Sequence, residues 1–184
     1  MDPQHLLVKI VKILNSLKIP YLLTGGMAIY VWGRPRFTAD IDVVIELKRE
    51  KVKQLIQVLI KEGYIDEDAV NDALKYKSEF NFIDQSTGIK VDFWVLKDDD
   101  FDKSRLKRRR IRRILDQRIY FISPEDLILT KLLWFEEAKS TRHLEDIQSV
   151  LAITKNELDF KYLKKWAEKL HTAKLLEEMT RLVL

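Results

Sequence analysis

The chain has 184 residues, 46% hydrophobic and 34% charged, which is enough apolar content for one folded domain or one domain with a small appendage. Lys and Arg number 33 against 29 Asp and Glu, a net charge of +4 that permits a nucleotide or nucleic-acid partner without demanding one. With no cysteine, disulfides, thiolate nucleophiles and Cys-ligated zinc are all excluded, and no apolar run approaches the ~20 residues of a membrane span. The opening MDPQHLLVKIVKIL has charges inside its apolar stretch and no small-residue cleavage site. It is therefore not expected to be a signal peptide, and a cytoplasmic protein is the expectation.

Leu6, Leu7, Ile10, Ile13, Leu14 and Leu17 follow a three-and-four spacing that predicts a helix over 5–18, ended by Pro20. Tyr21 to Thr24 is a short strand candidate running into Gly25-Gly26, and Met27 to Trp32 a brief helix with Gly33 suited to a C′ position. Asp40 to Leu47, β-branched and partly alternating, is the best strand in the chain. A charged amphipathic helix over 49–62 precedes Gly63, and 64–77 is ambiguous, part helix. Glu79 to Ile83 and Ile89 to Leu96 read as a hairpin turning near Ser86, Thr87 and Gly88. Arg105 to Ser123 reads as two further strands around Asp116-Gln117. From Pro124 the pattern turns helical, with Ser123 as N-cap, Pro124 at N1 and helices expected over 124–138, 142–153 and 157–183. The expected fold class is therefore α/β (α+β), a mixed β-sheet flanked by helices over residues 1–123, followed by a helical region over 124–184.

Asp40 and Asp42 stand two apart on a strand and so share one face, while Ile41 and Val43 take the other. Two ionised carboxylates on one face repel unless a cation lies between them, and a hard divalent ion such as Mg²⁺ prefers oxygen ligands and tolerates a substrate phosphate. Asp92 alternates with Val91, Phe93 and Val95, so it too leaves the apolar face of its strand. If the two strands are neighbours, the three carboxylates converge into a cluster able to hold two metals ~4 Å apart for phosphoryl or nucleotidyl transfer. A bare D-x-D is also a common solvated strand face, and a bare Gly-Gly a plain tight turn. Here Gly25-Gly26 follows a strand and opens a helix, where backbone N–H groups approach phosphate without a Cβ in the way. Arg34, Arg36 and Thr38 lie between the two elements.

Gly-Gly, thirteen residues, D-h-D-h, and then Asp92 some fifty residues on: this order resembles the nucleotidyltransferase superfamily related to DNA polymerase beta. Leu22 to Ala28, Gly33, Arg34, Thr38, Asp40 and Asp42 look especially like the minimal and toxin-type bacterial members. Ile122 to Leu132 and Arg142 to Ile147 look like the helical motifs of nucleotidyltransferases from abortive-infection toxin–antitoxin systems and their uncharacterised relatives. The resemblance implies the nucleotidyltransferase-type sheet and an enzyme moving NMP from an NTP to an acceptor hydroxyl with release of pyrophosphate. It implies Asp40, Asp42 and Asp92 as metal ligands and catalytic groups for two Mg²⁺ or Mn²⁺ ions, with Asp92 activating the hydroxyl. It further implies Gly25, Gly26, Arg36, Thr38 and Lys131 at the nucleotide, although Lys131 also suits a solvated helix face. Asp146 reads as an acceptor-side group or part of a salt-bridged helix face. Many relatives have Ser where Gly26 stands, and Lys-Asp where Arg142 and His143 stand. The implied partners are an NTP, an acceptor that is RNA, tRNA or a small antibiotic-like molecule, and a cognate antitoxin, with no membrane. A binding module that keeps the fold without turnover is the alternative from another class.

Lys107 to Arg113 is the densest basic run. It suits a tRNA or other polynucleotide acceptor by phosphate pairing, and equally suits a strand edge guarded against aggregation. The acids Asp98, Asp99, Asp100 and Asp102 are placed to neutralise part of it, which favours the structural reading. Trp32, Trp94, Trp134 and Trp166 sit in core-like patterns, with Trp94 beside Asp92 the one suited to stack on a base. His5, His143 and His171 form no metal-ligand spacing.

Overall fold

The computed structural model describes residues 3–38 and 40–183. The N-terminal amphipathic stretch forms α1 (Pro3–Ser16), whose Leu6, Leu7, Ile10, Val11 and Leu14 are buried. It leads into β1 (Tyr21–Leu23), α2 (Gly25–Trp32) and β2 (Asp40–Ile45). Then follow α3 (Arg49–Leu59), β3 (Gly63–Ile65), α4 (Glu67–Tyr76) and the hairpin of β4 (Glu79–Asp84) and β5 (Lys90–Val95). The remainder is α5 (Asp100–Arg108), β6 (Arg110–Ile114), β7 (Gln117–Phe121), α6 (Pro124–Ala138), α7 (Thr141–Thr154), α8 (Phe160–Lys169) and α9 (Ala173–Val183).

The strands form one seven-stranded mixed sheet in the order β3-β4-β5-β2-β1-β7-β6. β2 pairs parallel with β5 and β1 parallel with β7, and the remaining pairings are antiparallel. This mixed α/β architecture is what the hydrophobic periodicities predict. The chain divides into two compact units, one of Met1–Met27 with Phe37–Phe121, the other of Ala28–Arg36 with Ile122–Leu184. The first holds the sheet. Its central strands bury Ile41, Val43, Val91 and Phe93 completely, each contributing roughly 1.5–3 kcal/mol by leaving water, and Phe80 stacks on Phe93 at 5.0 Å.

Two expectations fail for physical reasons. Arg105–Arg108 is the last turn of α5 rather than strand. Asp99 caps that helix by accepting from Asp102 N (2.8 Å), acids fill its first turn and Arg105, Lys107 and Arg108 its last, the distribution a helix dipole favours. The single helix expected over 157–183 is two helices, because His171 adopts a left-handed conformation (φ 58°) and Thr172 N turns back to Ala167 O at 2.8 Å. No glycine or proline marks that break in the sequence.

Candidate active site

The core fixes the register of β2 on β5, and the register fixes the carboxylates. Ile41 and Val43 face Val91 and Phe93 on the buried side, so Asp42 stands directly across from Asp92 on the other, with Asp40 across from Lys90. Slipping either strand by one residue would bury the carboxylates and expose the apolar set. Adjacent strands lie ~4.8 Å apart, so two ionised groups rooted there repel by roughly 3 kcal/mol at an effective dielectric of 20. Three neighbours share out the burden. Lys90 Nζ lies 2.8 Å from Asp92 Oδ2. Its hydrogen bond to Asp92 raises the ammonium's pKa against an opposing desolvation, and the charges of Asp92, Asp40 and Glu79 add to the effect. Thr38 Oγ1 donates to Asp40 Oδ1 (2.9 Å), and the Trp94 indole N–H makes a long contact of 3.5 Å with Asp42 Oδ1.

Asp92 is 6% exposed, and its Oδ1 is buried with no hydrogen-bond partner among the described residues. A bare buried carboxylate oxygen is costly, and a cation is the partner whose chemistry suits it. Among the described residues, however, no group of three or more His, Asp or Glu side chains is arranged to hold a metal ion. The donor set is right for a hard divalent ion. In this arrangement Lys90 acts as the counter-ion.

Gly25, at φ +58°, lies so close to this face that a Cβ there would sit 1.8 Å from Asp42 Oδ2. A Cβ at Gly26 would sit 2.5 Å from Thr38 Oγ1. The two glycines are thus required by the close approach of the start of α2 to the acidic strand and its flanking loop. Gly25, Gly26, Thr38, Asp40, Asp42 and Asp92 all belong to the sheet-bearing unit. Sequence reasoning missed Lys90. The signal was present, since Lys90 is two residues from Asp92 on an alternating strand and so must share its face.

Arg36 and Lys131 lie together in the second unit, both on Asp146. The Arg36 guanidinium holds the carboxylate with Nε at 2.9 Å and Nη2 at 3.0 Å, and Lys131 Nζ lies 2.9 Å from Oδ2. Lys131 is 3% exposed, not a solvated helix residue, and its ammonium stands 4.9 Å over the Trp134 ring. Burial alone would raise the Asp146 carboxyl's pKa, but hydrogen bonds from Arg36 and Lys131 outweigh it and lower it. Burial lowers the pKa of His143, as do the charges of Lys131 and Arg36, and its Nδ1 has no partner among the described residues. Two cations thus share one buried carboxylate.

A mixed sheet presenting D-x-D and a third aspartate in register behind a Gly-Gly turn defines a nucleotidyltransferase-type fold. The chain belongs to the family described as uncharacterised nucleotidyltransferase, whose model matches residues 4–183, and it is accordingly a transferase of that class. No curated protein sequence matches it. Among solved structures it resembles an antigenic nucleotidyltransferase-like protein from Paracoccidioides brasiliensis (TM-score 0.56, 17% identity, covering 97% of this chain and 91% of that one). It also resembles ANT(2")-Ia in complex with adenylyl-2"-tobramycin (TM-score 0.61, 15% identity, 92% and 97% covered). A third likeness is to the lincosamide antibiotic adenylyltransferase LnuA with lincomycin bound (TM-score 0.54, 17% identity, 84% and 98% covered). At these identities the likeness is one of fold. Among the described residues no helix is long and apolar enough to cross a membrane.

Proposed function

We propose that the protein transfers an NMP from an NTP to an acceptor hydroxyl, in the cytoplasm, at the face made by Asp40, Asp42 and Asp92. The observation that carries the reading is the Asp42–Asp92 register with the unpartnered Asp92 Oδ1 beside it. Asp40, Asp42 and Asp92 would hold divalent magnesium or manganese, with two ions expected. Such ions supply neutralisation of the triphosphate and of the leaving pyrophosphate. Asp92 Oδ1 takes the proton of the acceptor hydroxyl as its oxygen bonds to the α-phosphorus and the α–β phosphoanhydride bond breaks. Lys90 exchanges its ion pair with Asp92 for solvent, a small cost for a side chain 46% exposed. The backbone amides at Gly25 and Gly26, at the N-terminus of α2, receive the β- and γ-phosphates. Thr38 orients Asp40.

A second reading, a small-molecule acceptor, draws support from the fold's likeness to the adenylyltransferases named above. A toxin-type role with a cognate antitoxin is a third, resting on the sequence motifs. The test is incubation with each α-³²P-labelled NTP and Mg²⁺ or Mn²⁺, offering total RNA, an aminoglycoside or a lincosamide, beside an Asp40→Ala/Asp42→Ala control. Label transferred only by the intact protein supports the reaction, and the labelled species names the acceptor. Absence of both transfer and NTP binding would overturn it.

A further inference from the structure

The basic run acquires a different meaning in three dimensions. Residues 105–118 hold eight Lys and Arg against one Asp, a local +7 in a chain of +4, so everything else carries −3. Of the acids expected to neutralise the run, Asp102 reaches only its first member, Arg105 on α5, while Asp98 and Asp99 are committed elsewhere. Asp98 pairs with Lys77 at 3.5 Å, Asp99 caps α5, and Asp102 accepts from Lys97 N (2.7 Å) and from Arg105. None of these contacts reaches the β6–β7 hairpin.

On that hairpin Arg113 stands directly across from Arg118. Like charges at a cross-strand pair destabilise it, and no carboxylate ion-pairs with either among the described residues. Ile111 and Tyr120, the next pair along that face, continue it. Arg109 lies over the Tyr120 ring at 4.4 Å, and Tyr21 meets the same ring edge-on at 5.8 Å. Beside them opens a cleft lined by Asn15, Lys18, Tyr21, Arg109 and Tyr120. The buried Tyr21 hydroxyl and Arg109 Nε make no hydrogen bond of good geometry there.

We propose that the Arg109–Tyr120–Arg113–Arg118 face is a docking surface for a polynucleotide backbone. An edge strand needs charge to discourage aggregation, but one or two cations suffice, and edge protection does not call for an unrelieved arginine pair. A row of phosphates does, because it neutralises both arginines at once, while the tyrosine beside Arg109 offers the aromatic element that nucleic-acid surfaces combine with charge. Combined with the transfer reading, the surface makes the acceptor a polynucleotide hydroxyl. The binding claim itself needs neither NTP nor divalent ion, so its failure is separable from failure of catalysis.

The experiment is fluorescence anisotropy on the full chain in EDTA, with a structured RNA and a single-stranded DNA of the same length, across a salt series. Log affinity should fall linearly with log salt, and Arg113→Gln/Arg118→Gln should weaken binding at least tenfold and reduce that slope by about 2. Lys53→Gln/Lys61→Gln, removing equal charge from α3 and the turn that follows it, should leave both within twofold. Comparing RNA with DNA distinguishes the two sources of phosphate. Arg118→Glu, which converts the repulsive pair into an attractive one, should abolish binding while holding or raising the melting temperature. Salt-insensitive binding, or equal losses from the Arg pair and the Lys pair, would overturn the proposal. So would a fall in melting temperature on Arg118→Glu with affinity unchanged, which is the outcome of a purely structural hairpin.

Discussion

Gly25→Ala tests the geometry of the acidic face most directly. The added methyl would meet Asp42 Oδ2 at 1.8 Å, Cγ at 2.5 Å and Cβ at 2.9 Å. Ordinary contact needs about 3.4 Å, so the Asp42 carboxylate must retreat by ~1.6 Å. A misplacement of ~1 Å in a reacting group costs on the order of a hundredfold in rate. Alanine at positive φ adds backbone strain of about 1–2 kcal/mol, which Gly88→Ala measures alone, since Gly88 has φ +68° and nothing within 4 Å of its would-be Cβ. By that scale Gly88→Ala should lower the melting temperature by about 2–6 °C and leave transfer intact. Gly25→Ala should cost a further 1–3 kcal/mol of overpacking and at least a hundredfold in NMP transfer. Thermal melts of both variants beside an α-³²P transfer assay decide the matter. If Gly25→Ala melts with Gly88→Ala and transfers at the parent rate, the close approach of Gly25 to Asp42 has no functional meaning.

Asp92→Asn should lower NMP transfer by at least a hundredfold with the melting temperature within a few degrees of the parent, and full transfer by this variant would remove Asp92 from the reaction. Asp84 offers a pH test. Burial would raise its pKa, but hydrogen bonds from Lys9 (2.6 Å), Ser86 and Thr87 outweigh that and hold it at about 2, against 3.8 unperturbed. A carboxyl depressed in the folded state stabilises above its unfolded value and loses that contribution as pH falls through the folded one, here about 2 kcal/mol between pH 3.8 and 2. The stability gap between the parent and Asp84→Asn in denaturant melts should therefore be full at neutral pH and narrow toward pH 2, and a constant gap would refute the assignment. Asp146→Asn leaves Lys131 buried and Arg36 half-buried without their shared anion. It should destabilise by about 3–5 kcal/mol in denaturant melts, so a loss under ~1 kcal/mol would mean the cluster relaxes into water.

How much of this was legible depended on whether the signal was periodic. The carboxylates on β2 and β5 announce themselves by alternating with Ile, Val and Phe, and alternation survives folding because the core enforces it. The helix break at His171 could not be read, since a left-handed residue without glycine is chosen by tertiary packing. The α5 turn was misread because Arg105–Arg108 has helix-favouring charge placement but no apolar period. The sequence left Lys131 between a nucleotide contact and a solvated helix face, because its partner Asp146 lies fifteen positions away on another helix. The like-charge pairing of Arg113 and Arg118 required the hairpin's register, which two turn residues at positive φ, Leu115 and Asp116, set.

The parallel pairing of β2 with β5 also dictates when the acidic face comes into existence. Asp42 and Asp92 lie fifty positions apart in the chain, whereas the β4–β5 and β6–β7 hairpins close locally. Closing a long loop carries an entropic penalty before any contact repays it, so local hairpins form first and long-range parallel pairing follows. A ribosome releasing this chain exposes Asp40 and Asp42 while the strand that completes their face is still unsynthesised. The chemistry is therefore assembled at one of the least local steps of folding, and a nascent or truncated chain lacks it until the crossover closes.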